Sequence, residues 1–429
     1  MQKQQQVFNK VSSASSSSLL WLALGAAIPL QAHATDGYFS HGYGVKAQGA
    51  GGVGIALPQD TLSIAANPAG LAAIGNRLDI GATWFRPVRD AEIEGSPAPI
   101  NGKYDGNDTQ NFLIPEFGYS KQLNDTTTVG VALYGNGGMN TDYKNGFPLF
   151  NNTGSRVGVN FIQAFLTPAI AWKLSPTQSV GIGLNLAYQR FEAKGLQNFA
   201  NSTFSSSPDH VTNKGADSAY GAGLHLGWQG KINDQVTLGA HYQTRTYMTR
   251  FDRYAGLFAE QGDFDVPASF GIGIAVKATP ALTLAADIQR IRYSEVDAVG
   301  ASIANFFTAQ LGTDNGAGFG WQDATVFKLG ALYAYSEQLT LRAGYNHVNQ
   351  PIPSSQTLFN TLAPAVVEDH VSLGATWKFA NSSELSFSYT HAFENEIKGS
   401  GSIPAAFGGG DVNLKMYQDS LGLAYSWAL

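Results

Sequence analysis

A two-residue rhythm constrains this chain more than anything else in it. In VGIGLNLAYQR, Val180, Ile182, Leu184, Leu186 and Tyr188 fall on one face, and Gly181, Gly183, Asn185, Ala187 and Gln189 on the other. YGAGLHLGWQ divides the same way, with Tyr220, Ala222, Leu224, Leu226 and Trp228 opposite Gly221, Gly223, His225, Gly227 and Gln229. Leu421, Leu423, Tyr425, Trp427 and Leu429 again share a face at the C-terminus. Successive side chains of a strand point to opposite sides, so each segment predicts a strand with one greasy side and one small or polar side. From Asn76 onward there are about fourteen such segments of roughly ten residues, the length at which a tilted strand crosses a bilayer.

Composition agrees with a lipid-facing surface. Charged residues are 14% of the 429, well under the roughly one quarter of an ordinary soluble domain. No apolar run reaches the length of a helical span outside the extreme N-terminus, and the mean hydropathy is slightly negative, as expected when two faces cancel. The prediction is an all-β fold, a 14-stranded antiparallel transmembrane β-barrel over residues 76–429, closed because a free sheet edge in hydrocarbon would leave backbone groups unsatisfied. A soluble sandwich or propeller would also show many short strands. No blade-like repeat occurs, however, and Trp172, Tyr188, Trp228, Tyr242, Tyr335 and Trp377 are placed as an interfacial girdle would be.

Residues 1–34 read as a signal peptide: Lys3 and Lys10, the apolar stretch from Leu19 to Leu30, then Ala32, His33 and Ala34 as a cleavage site, making Thr35 the first mature residue. The absence of Cys excludes disulfides and thiolate chemistry. A net charge of −6 with no basic cluster argues against a nucleic-acid partner. KLSPTQS, KINDQ, ATPA, YSEQ and ANSS are short turns. They alternate with long loops at Ala91 to Gln110, Met139 to Arg156, Gln197 to Asp217, Phe251 to Val266, Val296 to Asp323, Pro351 to Glu368 and Lys398 to Asp411. Barrels of bacterial outer membranes keep short turns in the periplasm and long loops outside.

Between signal and first strand lie residues 35–75, whose only charges before Asn76 are Asp36, Lys46 and Asp60. The segment is too short for a domain and too apolar for a solvated tail. It is expected inside the barrel as a plug. In NPAG, Asn67 caps, Pro68 sets φ, and Ala69 and Gly70 continue a helix-initiating turn.

On DGYFSHGYGVKAQGAGG, AANPAGLA, YGNGGMNTDY in the third strand and FDVPASFGIG opening the eighth, the chain resembles the FadL-type outer-membrane transporters of long-chain fatty acids and other hydrophobic compounds. The resemblance covers essentially the whole mature chain. It implies an N-terminal hatch, ligand capture by extracellular loops, plug rearrangement, and sideways release through a gap in the wall at the third strand. The final residue departs from the family habit of an aromatic C-terminus, being Leu429.

Three sets of residues are candidates for transport. Gly135, Asn136, Gly137, Gly138, Met139 and Asn140 interrupt a regular strand with residues that disfavour ladder pairing, a kink or bulge that would open the wall or else shape the barrel rim; the resemblance makes this stretch the lateral opening. Ile303, Phe306, Phe307 and Gln310 or Leu311 fall at helical spacing in a long loop, and with Leu257 and Phe258 they form apolar surface suited to ligand capture. Arg245, Lys328 and Arg342 have inward parity and are candidates for a carboxylate head group, with Asp287 and Glu116 as competing ion-pair partners.

No cofactor or metal is expected and no enzyme: the eight His residues are scattered, and no G-x-S-x-G nucleophile signature supports an outer-membrane lipid hydrolase. A general aqueous porin would leave the apolar segment before Asn76 without a purpose, and a TonB-dependent transporter needs about 22 strands. Expected partners are a hydrophobic small molecule, outer-membrane lipid and lipopolysaccharide, and the barrel assembly machinery, with the protein a monomer.

Overall fold

The computed structural model describes residues 36–429; the expected signal peptide and Thr35 lie outside the described residues. The strands are β1 (Arg77–Glu94), β2 (Gly102–Asp105), β3 (Phe112–Gln122), β4 (Thr127–Tyr143), β5 (Val157–Ser175), β6 (Gln178–Lys194), β7 (Asp217–Lys231) and β8 (Val236–Gln243). They continue as β9 (Tyr247–Met248), β10 (Ser269–Lys277), β11 (Leu282–Ile291), β12 (Ala324–Ala334), β13 (Leu339–Val348), β14 (Asp369–Lys378), β15 (Glu384–Ile397) and β16 (Asp411–Ala428). β2 and β9 are short pieces beyond the wall, added to β1 and β7. The other fourteen form one antiparallel meander, closed where β1 pairs β16 from Arg77↔Ala428 to Glu94↔Asp411.

Alternation sets which side chains face lipid. Ile182, Leu184, Leu186, Leu224, Leu226, Ile272, Leu329, Leu373 and Leu423 are exposed on the outside, while Asn185, His225, Asp287, Asn346 and Ser372 are buried within. An apolar outer surface this continuous requires a non-aqueous surrounding. Arg77 pairs Ala428, so both ends of the barrel chain share one rim, and the short turns, such as Ser175 to Gln178, lie on that rim too.

The opposite rim carries the long connections, and two of these are shorter than the sequence predicts. β1 runs on to Glu94 and the next residues supply β2, so the loop expected from Ala91 is partly strand. β4 likewise continues to Tyr143, past the expected loop start at Met139. In both cases backbone partners are available, from β16 and β5, and pairing continues as far as they do. The long loops fold together into a hydrophobic core whose aromatic members include Phe150, Phe199, Phe251, Tyr254, Tyr293, Trp321 and Phe359.

Candidate functional site

Residues 36–75 are held against the inward faces of strands around the barrel. Asp36 forms an ion pair with Lys328 of β12 at 3.3 Å. Lys46 pairs with Glu384 of β15, which also meets Arg77 at 3.2 Å. Asp79 of β1 accepts from the Thr61 amide at 2.9 Å and its hydroxyl at 2.6 Å. Asp287 of β11 accepts the amides of Gly54 and Ile55 at 2.8 and 3.0 Å, and Glu116 of β3 accepts that of Val45 at 3.1 Å. Buried polar groups demand partners, and here Asp79, Asp287 and Glu116 of the wall each accept from backbone amides of the segment.

The NPAG turn packs against β6 and β7. Asn67 is an N-cap: its Oδ1 accepts from Ala69 N at 3.0 Å and starts a 3₁₀ turn over Pro68–Gly70, which Leu71–Ile74 continue as helix. Asn67 Nδ2 donates to Ile55 O at 2.7 Å and to Trp228 O of β7 at 2.9 Å. The wall is glycine where the turn touches it. A Cβ on Gly227 would lie 2.0 Å from Asn67 Oδ1, and one on Gly181 would lie 2.4 Å from Ala69 N.

The interruption in β4 is a bulge. Register with β5 slips between Gly135↔Ala164 and Gly137↔Gln163, leaving Asn136 as the extra residue. One inserted residue reverses parity: Ala132 and Tyr134 are buried before it, Met139, Thr141 and Tyr143 after it. On the other edge, pairing with β3 ends at Phe117↔Leu133, although β3 continues to Phe112 in register with β1. The β3–β4 ladder is therefore open above Leu133.

The N-terminal segment occupies that edge. Phe39 bridges Gly137, Ser40 N donates to Asn136 O at 3.1 Å, and Gly138 N donates to Tyr38 O at 3.0 Å. Tyr43 Oη donates to Asn136 Oδ1 at 2.7 Å. Tyr38 sits among Phe39, Phe161, Phe264, Tyr293 and Trp321, with ring centroids 5.2–6.1 Å away. Beside the gap, Phe85, Pro87, Gly138, Met139, Asn140, Trp321 and Met416 help line a small apolar cavity of about 20 Å³.

Of the loop residues, Leu257, Phe258 and Leu311 line an apolar pocket of about 50 Å³ together with Phe191, Phe199, Phe319 and Phe359. The helical stripe expected there does not form. Only Ile303–Phe307 are helical, as a 3₁₀ turn, and Leu311 instead bridges Ser205. Phe306 is buried against Phe204 and Phe407 at 5.0 and 5.5 Å, whereas Phe307 stays exposed. The loop's backbone bonds go to neighbouring loops, such as Leu311 N to Phe204 O at 2.9 Å, and helical periodicity has no register to follow.

The three cations separate. Lys328 faces inward but is engaged by Asp36 and donates to His41 O at 2.8 Å. Arg342 faces inward and donates to Gln59 Oε1 and Thr376 Oγ1, both at 2.7 Å. Arg245 is not on a strand face, because β8 ends at Gln243; it pairs with Asp265 at 2.6 Å in the next loop. Sequence reading overlooked Phe199 and Phe319, which lie on two different loops; Phe359, within the apolar LFNTLAPAVV, and Tyr38, within the quoted DGYFSHGYG, had a visible signal.

A lipid-facing fourteen-stranded barrel, with an internal segment and an unpaired seam in its wall, defines a transmembrane channel of the outer-membrane type. The chain belongs to the outer membrane protein transport family described as OMPP1/FadL/TodX, whose model matches residues 21–424. It is similar to a putative outer membrane protein of Neisseria meningitidis serogroup B, 23% identical over 95% of this chain and 97% of the relative. Among solved structures, the toluene transporter TodX of P. putida and a FadL homologue of Pseudomonas aeruginosa both superpose with TM-score 0.68, at 18% and 16% identity. Each match covers 91% of this chain and 99% of the other. The Ralstonia pickettii toluene transporter TbuX gives 0.64 at 16% identity over the same shares. The protein is thus an outer-membrane transporter of hydrophobic compounds rather than an enzyme.

Proposed function

We propose that a hydrophobic molecule, a fatty acid or a hydrocarbon, is captured by the pocket of Leu257, Phe258 and Leu311, and leaves sideways into the membrane between β3 and β4. Residues 36–75 are the plug. The observation that carries this reading is the termination of the β3–β4 ladder at Leu133 with Tyr38–Ser40 hydrogen-bonded in its place. Such a solute gains nothing from an aqueous pore, and it needs apolar sites in series that bind without trapping.

Capture and gate share an aromatic stack. Phe258 lies 5.0 Å from Phe264, and Phe264 lies 6.1 Å from Tyr38. A cavity of roughly 150 Å³ holds benzene in a protein interior, so a pocket of 50 Å³ must widen to admit even a single aromatic ring. Widening displaces Phe258, and the displacement reaches Tyr38 through Phe264. The gate then opens when ligand arrives.

Lipid and lipopolysaccharide surround the barrel in this reading, the assembly machinery inserts it after cleavage of residues 1–34, and it works as a monomer. Arg245, Lys328 and Arg342 serve as structural cations, since each already donates to protein acceptors.

Deletion of Asn136 tests the exit. It removes the extra residue, restores continuous β4–β5 register, and lets β4 continue against β3. Uptake of radiolabelled oleate or toluene by cells lacking their own transporter should collapse, while the purified barrel keeps its heat-modifiable gel mobility. Undiminished uptake by a correctly folded deletion variant would overturn lateral release, and large ohmic conductance of the unaltered protein in planar bilayers would favour a porin.

A further inference from the structure

Arg89 of β1 faces inward and is completely buried, yet among the described residues no carboxylate comes within ion-pairing distance of it. Its side chain is spent on neutral oxygens: Nη1 donates to Pro87 O at 3.0 Å, and Nη2 is shared among Gly106 O at 3.0 Å, Thr109 O at 2.8 Å and Asn140 Oδ1 at 2.9 Å. Nε has no acceptor. Of the other buried cations among the described residues, Lys46 has Glu384 and Lys328 has Asp36, while Arg342 donates to Gln59 and Thr376. Burying a guanidinium with no directly paired carboxylate is costly, and the charges of Asp142, Asp105 and Asp90, none of them within ion-pairing distance, offset it only in part. Stability alone is a poor reason for this residue.

Its position supplies a better one. Asn107 and Gly106 are fastened to the Arg89 backbone, with Arg89 N donating to Asn107 Oδ1 at 2.8 Å and Asn107 Nδ2 donating to Arg89 O at 3.0 Å. The same turn is joined to β4, where Asp142 N donates to Gly106 O at 2.9 Å and Asp108 N donates to Asp142 O at 3.2 Å. Asn140, the last residue of the interrupted stretch, passes the connection to β5 by donating to Val159 O at 3.1 Å. The guanidinium therefore ties β1 to the 106–109 turn and to β4 across the place where β3 has no ladder to β4. Pro87 and Asn140, both bonded to it, line the cavity beside the gap.

We propose that Arg89 is the positioning residue of the lateral opening: a lintel that fixes its upper rim and so sets the largest solute that can leave. This rests on the sideways exit proposed above. Only a planar fork reaches acceptors on two strands and a turn together; an ammonium on a lysine stem has no such fixed geometry. With Arg89 in place, β4 above Met139 is held to β1 and the unpaired stretch ends at Asp142. Without it the upper edge is free to swing, and the opening lengthens.

The test is a ratio. Cells lacking their own transporter and expressing the unaltered protein, Arg89→Met, Arg89→Lys, Asn140→Ala or the Arg89→Met/Asn140→Ala pair take up radiolabelled toluene and radiolabelled phenanthrene separately. The expected result is a several-fold rise in phenanthrene relative to toluene for each single variant, with no further rise in the pair, because both substitutions cut the same bond. A merely structural role would lower both solutes together and leave the ratio alone. An unchanged ratio in Arg89→Lys and Asn140→Ala, each folded by gel mobility, overturns the proposal, as does an additive effect in the pair. Failure of the exit itself is seen separately: the Asn136 deletion would then leave uptake intact, whereas a lost lintel with a sound exit pairs a blocked deletion variant with an unchanged ratio.

Discussion

Gly137→Ala is the sharpest available perturbation of the proposed gate. A Cβ at this position would lie 2.1 Å from Tyr38 O and 3.1 Å from the Tyr38 carbonyl carbon. The first distance falls more than an ångström short of ordinary contact, and the obstacle is backbone, which cannot rotate away. The cheapest accommodation is retreat of residues 38–40 from β4, which breaks Ser40 N to Asn136 O and Gly138 N to Tyr38 O. A net hydrogen bond contributes about 0.5–1.5 kcal/mol, so the loss is about 1–3 kcal/mol, or about 5- to 150-fold in the population of the open gate. The chain contains no Cys, so Ser40→Cys gives a single thiol at a buried position on the gate. Its labelling by a membrane-impermeant maleimide should accelerate by a factor in that range when Gly137→Ala is added, and uptake at low substrate should rise with it. Equal labelling rates with and without the alanine would refute the argument, since the clash would then have been absorbed by β4 and not by residues 38–40.

Asn67→Ala should leave the barrel's gel mobility unchanged but expose residues 36–75 to added protease, because it removes the cap on Ala69 and strands the carbonyls of Ile55 and Trp228; a stranded buried acceptor costs about 1–3 kcal/mol. Leu257→Trp adds an indole to the lining of the loop pocket and should raise KM for uptake with kcat little changed, measured as concentration-dependent uptake. Burial, then the neighbouring charges of Asp265 and Glu260, push the Asp263 carboxyl up to about 7 against the pull of Arg245. A raised folded-state value means the contribution of Asp263 is fully present below its unfolded value near 3.8 and is lost as pH rises through about 7. Hydrogen exchange across 251–266, corrected for intrinsic rate, should therefore show easier opening at pH 8 than at pH 5, and Asp263→Asn should remove the difference.

Much of the barrel could be read from sequence because its physics is local. Alternation in VGIGLNLAYQR decides which side meets lipid, and Ile182, Leu184 and Leu186 do lie outside while Asn185 and Gln189 are buried within. The interruption of β4 was visible for a related reason: Asn136, Gly137 and Gly138 break the pattern that their neighbours keep. Its true extent was not visible, since the β3–β4 ladder ends at Leu133, and a ladder belongs to two strands whereas a sequence shows one at a time. Parity failed for Arg245 because β8 stops two residues short of it, and alternation carries no meaning past a strand end. The loop pocket was legible only in part: Leu257 and Phe258 stood out as apolar, but their partners Phe199, Phe319 and Phe359 come from other loops. Arg89 offered no signal at all, because its acceptors are carbonyls and an amide whose proximity only the fold creates.

The seam between Arg77 and Ala428 has a consequence for how the molecule comes to exist. The two strands that complete the cylinder are the first and the last to be made, so no enclosed interior is available until the final residues have been delivered. Residues 36–75, bonded to strands as far apart as β3, β7, β11 and β15, can therefore hold all of these contacts at once only when that closure is complete.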